Sequence, residues 1–116
     1  DLVNVNVTLI FSPAQAILAA KAGAKYVSPF VGRVDDNSFD GIDLVDQISD
    51  IYTIQNIRKT EILAASVRDV KTVSDAFGAG AHVVTMPPSI LEKMYNHVLT
   101  DRGLYQFDLD WAKVKR

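Results

Sequence analysis

Val3, Val5 and Val7 alternate with Asn4, Asn6 and Thr8, and Leu9-Ile10-Phe11 then runs wholly apolar. Period-two alternation of β-branched residues predicts a strand. Ser12-Pro13 offers a helix cap with proline at the first helical position, and Ala14 to Ala22 is nearly all strong helix formers before a stop at Gly23. A second strand is predicted from Lys25 to Ser28, broken at Pro29 and followed by a loop through Phe30, Gly32, Arg33, Asp35 and Asp36 to Gly41. Ile42, Leu44, Val45, Ile48, Ile51 and Tyr52 then share one helical face. Thr60 to Ser66 reads as a third strand. Arg68 or Asp69 opens the next helix, where Val70, Val73, Ala76 and Phe77 recur at helical spacing until Gly78 and Gly80. His82 to Met86 is the fourth strand, and Pro87-Pro88-Ser89 restarts a helix carrying Ile90, Leu91 and Met94. A last amphipathic segment, from about Asp101 to the end, holds Leu104, Phe107, Leu109 and Trp111.

Strand and helix alternate with short connections, the pattern of parallel βαβ units. Ala22-Gly23-Ala24-Lys25-Tyr26-Val27-Ser28-Pro29 is echoed by Ala79-Gly80-Ala81-His82-Val83-Val84-Thr85-Met86-Pro87, so each is a helix end, a strand and a proline. Four such units fit into 116 residues, whereas an eight-stranded barrel needs about 250. Two architectures remain: an open four-stranded α/β domain, or half of a barrel. A lone half would leave one face of these apolar strands bare. The start, Asp1-Leu2-Val3-Asn4, has no Met, no basic leader and no cleavage pattern, and it drops straight into a strand. That favours a half barrel whose first part is missing.

Composition narrows the chemistry. The chain is 48% hydrophobic and 22% charged with a net charge of −2, which gives no basic face for nucleic acid. It contains no cysteine, which removes disulfides and thiolate chemistry and fits a reducing compartment. No apolar run approaches the roughly 20 residues that a membrane span needs.

Ligands in parallel α/β folds bind at the C-terminal ends of the strands. Those ends carry Thr8, then Ser28 with Phe30 and Arg33, then Ser66 with Arg68, and Thr85. Two hydroxyl–arginine pairs on one rim would suit a phosphate, because a guanidinium fork matches its oxygens. Singly, each has a plainer explanation: Ser28 and Ser66 as helix caps, Arg33 paired with Asp35 or Asp36, Arg68 solvated. No nucleophile or base declares itself. His82 begins a strand at the far end, His97 lies in a polar helix end, and Lys21, Lys25 and Lys59 are at the wrong end. There is no metal-ligand spacing, and the glycines form neither a P-loop nor a dinucleotide fingerprint. Asp35-Asp36 with Asp40 could hold a divalent ion, though an exposed acidic loop explains them as well.

With those residues in view, the chain resembles the C-terminal half of a short, single-domain transaldolase. Asn6-Val7-Thr8-Leu9-Ile10-Phe11-Ser12-Pro13-Ala14-Gln15-Ala16 is similar to that family's fifth-strand signature, and Val27-Ser28-Pro29-Phe30-Val31-Gly32-Arg33 to its sixth. Ala64-Ala65-Ser66-Val67-Arg68 resembles the seventh and Val84-Thr85-Met86-Pro87 the eighth. The resemblance implies an α/β fold in which residues 1–116 form about four βα units, strands five to eight of a (βα)8 TIM barrel, plus a C-terminal helix. It implies a cytoplasmic enzyme of the pentose phosphate pathway that moves a dihydroxyacetone unit between sedoheptulose 7-phosphate and glyceraldehyde 3-phosphate. No cofactor is implied. The Schiff-base lysine belongs to the fourth strand and so lies outside this chain, which alone is expected to be inactive. By motif position, Arg33, Ser66 and Arg68 match the phosphate-end residues. Asn6, Thr8, Ser28 and Phe30 match cavity-lining positions, with Thr8 helping to hold the catalytic water. The fructose-6-phosphate aldolase branch tends to carry tyrosine where Phe30 stands, so phenylalanine points to transfer rather than cleavage. A homo-oligomer whose last helix contacts a neighbour is expected, and a non-catalytic, self-associating sugar-phosphate-binding half barrel is the alternative from another class.

Overall fold

The computed structural model describes residues 4–114. Val3, the first residue of the predicted alternation, lies outside the described residues. Strand β1 is Asn6–Ile10, and it ends where the Ser12 side chain accepts the Gln15 N–H and Pro13 begins helix α1, Pro13–Lys21. Gly23 at φ 92 turns the chain out of the helix, a left-handed conformation that costs glycine little. Strand β2, Tyr26–Pro29, leads into a short helix α2, Val31–Asp36, and then helix α3, Gly41–Ile54, capped by the Asp40 carboxylate accepting the Asp43 N–H. Strand β3 is Glu61–Ala64, and helix α4, Val70–Gly78, is capped by Asp69. Strand β4 is only Val83–Val84.

The strands are parallel and lie in sequence order, β1-β2-β3-β4. Register aligns Val7 with Val27 and Val27 with Ile62, and Val27, Ile62 and Ala64 are fully buried with Ala16, Val45, Ile48, Val73 and Ala76. That core lies on the helical side of the sheet. The neighbouring row, Asn6, Tyr26 and Glu61, is exposed or half-buried. The bare face anticipated for a half barrel is therefore present. Strand β1 departs from a regular ladder: Leu9 adopts φ 56 and the pairing with β2 shifts between Val7 and Ile10.

The echoed segments are structural equivalents. Gly23 and Gly80 both have positive φ, and the following alanines donate back to the helices, Ala24 N–H to the Ala19 carbonyl and Ala81 N–H to the Ala76 carbonyl. Asn56 at φ 55 performs the same turn after α3, with Ile57 donating to Tyr52. Successive units are tied by buried hydroxyls: Tyr52 Oη donates to the Ala16 carbonyl at 2.7 Å and Thr60 Oγ1 to the Ala24 carbonyl at 2.6 Å.

The chain forms two compact units, one through Met86 and one from Pro87. The second contains helices α5, Pro88–Tyr95, and α6, Val98–Val114. Helix α6 begins before the expected Asp101 and buries none of its residues. Among the described residues no helix is long and apolar enough to cross a membrane.

Candidate functional site

Pro29 ends β2 but keeps its carbonyl, which accepts the Ala65 N–H at 2.9 Å, while Val31 donates to the Ala65 carbonyl at 2.9 Å. The end of β2 is thereby stitched to the segment that carries Ser66 and Arg68. From there the chain becomes helical, so Arg33 is on α2 and not on the loop expected from Pro29 and Gly32. The short helix passes directly over Ser66. A Cβ on Gly32 would strike the Ser66 carbonyl and lie 2.8 Å from Ser66 Oγ and 3.1 Å from Arg68 Nε. Only glycine permits that approach.

The candidate residues fall into three groups. Ser28, 2% exposed, donates its hydroxyl to Asn6 Oδ1 at 2.7 Å, joining β2 to β1, and Thr8 on β1 is exposed. Arg33 lies over the Phe30 ring at 5.1 Å, a cation–π arrangement, and Phe11 meets the same ring edge-on at 6.1 Å. Arg68 donates Nη1 to both carboxylate oxygens of Asp36, at 2.8 and 2.9 Å, and Nη2 stands 3.5 Å from Ser66 Oγ. Asp36 is thus taken by Arg68, and among the described residues Arg33 makes no ion pair.

Two hollows separate the arginines. One of about 340 Å³ is lined by Phe11, Arg33, Val34, Asn37 and Phe39. The other, about 190 Å³, is lined by Gly32, Asp36, Ser66, Arg68, Asp69 and Thr72 among others. Ser66 and Arg68 therefore share a hollow, and Arg33 lines a different one. Ser66 holds φ 61, a left-handed conformation that is uncommon for a residue with a side chain and of the kind stored at ligand sites. Bonds from the backbone and hydroxyl of Thr72 hold the Asp69 carboxyl below the usual carboxylate range. At the fourth strand, Thr85 donates its N–H to the Ala64 carbonyl at 3.0 Å.

The acidic loop has other work. Asp35 accepts the Gly41 N–H at 2.8 Å, Asp40 caps α3 and Asp36 holds Arg68, and the described residues contain no group of three metal-ligating side chains. His82 lies away from this rim, and its Nδ1 accepts the Ile62 N–H at 3.0 Å. Sequence reasoning missed Asp36 as the partner of Arg68 and Gly32 as the point of contact. The second carried a signal, a glycine inside what proves to be a helix.

The pattern of the transaldolase/fructose-6-phosphate aldolase family matches residues 2–115. This chain belongs to that family. Its four parallel βα units and C-terminal helix fit half of the family's TIM barrel. A protein of Paracoccus denitrificans named probable transaldolase is 59% identical over 111 residues, covering 96% of this chain and 51% of that protein. One of Nitrosopumilus maritimus with the same name is 57% identical over 113 residues, covering 97% and 51%. The chain thus spans about half the length of the curated relatives it matches. Among solved structures, a flavocytochrome b2 variant with sulfite bound aligns over 74% of this chain and 23% of its own, at TM-score 0.63 and 23% identity. A mandelate oxidase variant with (S)-mandelic acid aligns over 74% and 25%, at TM-score 0.56 and 19% identity. At such identities the likeness concerns the fold alone.

Proposed function

We propose that this chain supplies the substrate-phosphate half of a cytoplasmic transaldolase of the pentose phosphate pathway. In this reading the whole protein transfers a dihydroxyacetone unit from sedoheptulose 7-phosphate to glyceraldehyde 3-phosphate through a Schiff base. The lysine that forms it belongs to strands these residues do not include. Imine formation lets such an enzyme stabilise the carbanion of carbon–carbon cleavage as an enamine. The residues here bind and orient. Arg33, Ser66 and Arg68 hold the phosphate end, while Asn6, Ser28 and Phe30 line the cavity and Thr8 holds a water. The observation that carries the reading is the Ser66–Arg68 pair beneath Gly32, a hydroxyl and a guanidinium packed against a backbone that only glycine allows so close.

The test is product analysis of the whole protein. Formation of erythrose 4-phosphate from sedoheptulose 7-phosphate and glyceraldehyde 3-phosphate, faster than release of free dihydroxyacetone from fructose 6-phosphate, is expected. The reverse order would make it an aldolase. The uncovered sheet face favours a second reading, a non-catalytic sugar-phosphate-binding half barrel that pairs with its own copy. A stable dimer of the 116-residue chain in sedimentation, with no turnover in any form of the protein, would support that reading instead.

A further inference from the structure

We propose that the hollow between the C-terminal end of α3, the turn into β3 and the start of β4 binds a small oxyanion, a phosphate or a carboxylate. It opens at the N-terminal end of the strands, opposite the rim that carries Ser66 and Arg68. Its volume is about 270 Å³, below the roughly 300–1,000 Å³ of ordinary ligand pockets, which suits a compact anion better than a whole sugar phosphate.

Arg58, Asn56 and His82 give its polar lining donors, while the Thr53 hydroxyl is spent on the Ser49 carbonyl at 2.9 Å. Arg58 donates Nε to Asn56 Oδ1 at 2.8 Å, and Asn56 is itself fixed in a left-handed turn at φ 55, so the guanidinium plane is set by the chain beside it. That bond leaves the terminal nitrogens of the fork for a ligand. Unlike Arg68, Arg58 makes no ion pair among the described residues, and no Asp or Glu lines the hollow. His82 adds a second donor. Because its Nδ1 accepts the Ile62 N–H at 3.0 Å, the neutral ring carries its proton on Nε2. Asn56 has spent its carbonyl oxygen on Arg58, which leaves its amide N–H groups. Tyr52 turns its hydroxyl to the Ala16 carbonyl and contributes apolar wall.

Two further features support an anion. Glu61, the carboxylate whose charge feels His82, is bound by Lys25 at 2.8 Å and so is already offset. Arg58 also borders a second, wider hollow of about 840 Å³ together with Lys59, which like Arg58 makes no ion pair among the described residues, so two cations flank the approach. The wall is tight: a Cβ on Gly80 would strike Ser49 Oγ, which fixes α3 against the turn into β4. None of these residues belongs to the proposed substrate rim, so this site stands or falls independently of the transaldolase reading.

The experiment is residue-resolved NMR on the protein titrated with inorganic phosphate and, separately, with acetate, against sodium chloride at equal ionic strength. Saturable shifts of the His82 imidazole and the Asn56, Ile57 and Arg58 amides are expected with at least one of the two anions. Arg58→Gln should weaken that binding at least tenfold. Arg58→Lys, which keeps the charge but not the fork, should fall between. Shifts that chloride reproduces mean an adventitious ion only and overturn the proposal. So does saturable binding that both variants leave unchanged.

Discussion

Arg68 reaches Asp36 through a single nitrogen, Nη1, which donates to both carboxylate oxygens at 2.8 and 2.9 Å. Both side chains are more than half exposed, at 56% and 54%, so the pair contributes only about 0–1 kcal/mol to stability. Its consequence is for binding: Asp36 occupies part of the fork that a phosphate would use. Asp36→Asn should tighten inorganic phosphate binding by about fivefold, the worth of roughly 1 kcal/mol of removed repulsion. Calorimetric titration measures it. Weaker binding in Asp36→Asn would make Asp36 a residue that aims Arg68 instead.

Among the described residues Arg33 makes no ion pair, and it rests on Phe30. If it holds the substrate's terminal phosphate, Arg33→Ala in the whole enzyme should cost about 2–4 kcal/mol in kcat/KM, the scale of charge-assisted contacts. Arg33→Lys should restore only part, because a point charge lacks the fork. Glyceraldehyde, an acceptor without phosphate, should lose far less. Equal losses for both acceptors would make Arg33 structural, a prop for the aromatic pair of Phe11 and Phe30.

Gly32→Ala places a methyl group against the Ser66 carbonyl, and relieving it should cost about 1–3 kcal/mol and loosen phosphate binding. Gly78→Ala, where nothing lies within 4 Å, is the control and should leave stability unchanged or raise it by up to about 1 kcal/mol. Denaturant midpoints for the two variants measure the difference, and equal midpoints would mean that the Ser66 segment yields to the methyl group at no cost.

Burial pushes the Tyr52 hydroxyl up to about 12. The folded protein therefore holds that proton more tightly than the unfolded chain, whose tyrosine titrates near 10. Stability from this group is whole below pH ~10 and falls as pH rises toward 12. Tyr52→Phe should flatten that alkaline decline while costing about 1 kcal/mol at neutral pH through the lost bond to Ala16. Urea unfolding at neutral and alkaline pH tests both parts.

Helix α6 exposes Leu99, Leu104, Tyr105, Phe107, Leu109 and Trp111. Bulky apolar residues exposed together mark a contact surface, here proposed to meet a neighbouring subunit in the whole protein. Ending the chain after Arg102 should lower the oligomer's mass in light scattering, and an unchanged mass would exclude that role.

The order of elements was legible because period and punctuation agreed. Ser12-Pro13 and Asp69 start helices, and Gly23 and Gly80 end them. What local pattern could not give was set by contacts across the chain. Val5, Leu9 and Phe11 are among the apolar positions that predict the first strand, yet each is nearly half exposed, because that edge of the sheet lacks a neighbour among the described residues. Arg33 read as a loop residue because Pro29 and Gly32 look like breakers. In the fold, Gly32 is there to let α2 cross Ser66. The hydroxyl and arginine types were visible from the motifs, but their distribution between two hollows was not, since Asp36 chooses Arg68 over the nearer-in-sequence Arg33.

The irregularity of the outer strands has a consequence for life in a crowded solution. Among the described residues β1 pairs only with β2 and β4 only with β3, so each leaves a free border of backbone groups. Such borders invite strands of other molecules to zip on and seed fibrils. Leu9 at φ 56 kinks one border, and the other is a strand of two residues, Val83–Val84. Neither offers a straight run of donors and acceptors long enough to template a foreign strand. An irregular outer edge thus works against strand addition for as long as a sheet of this kind is open.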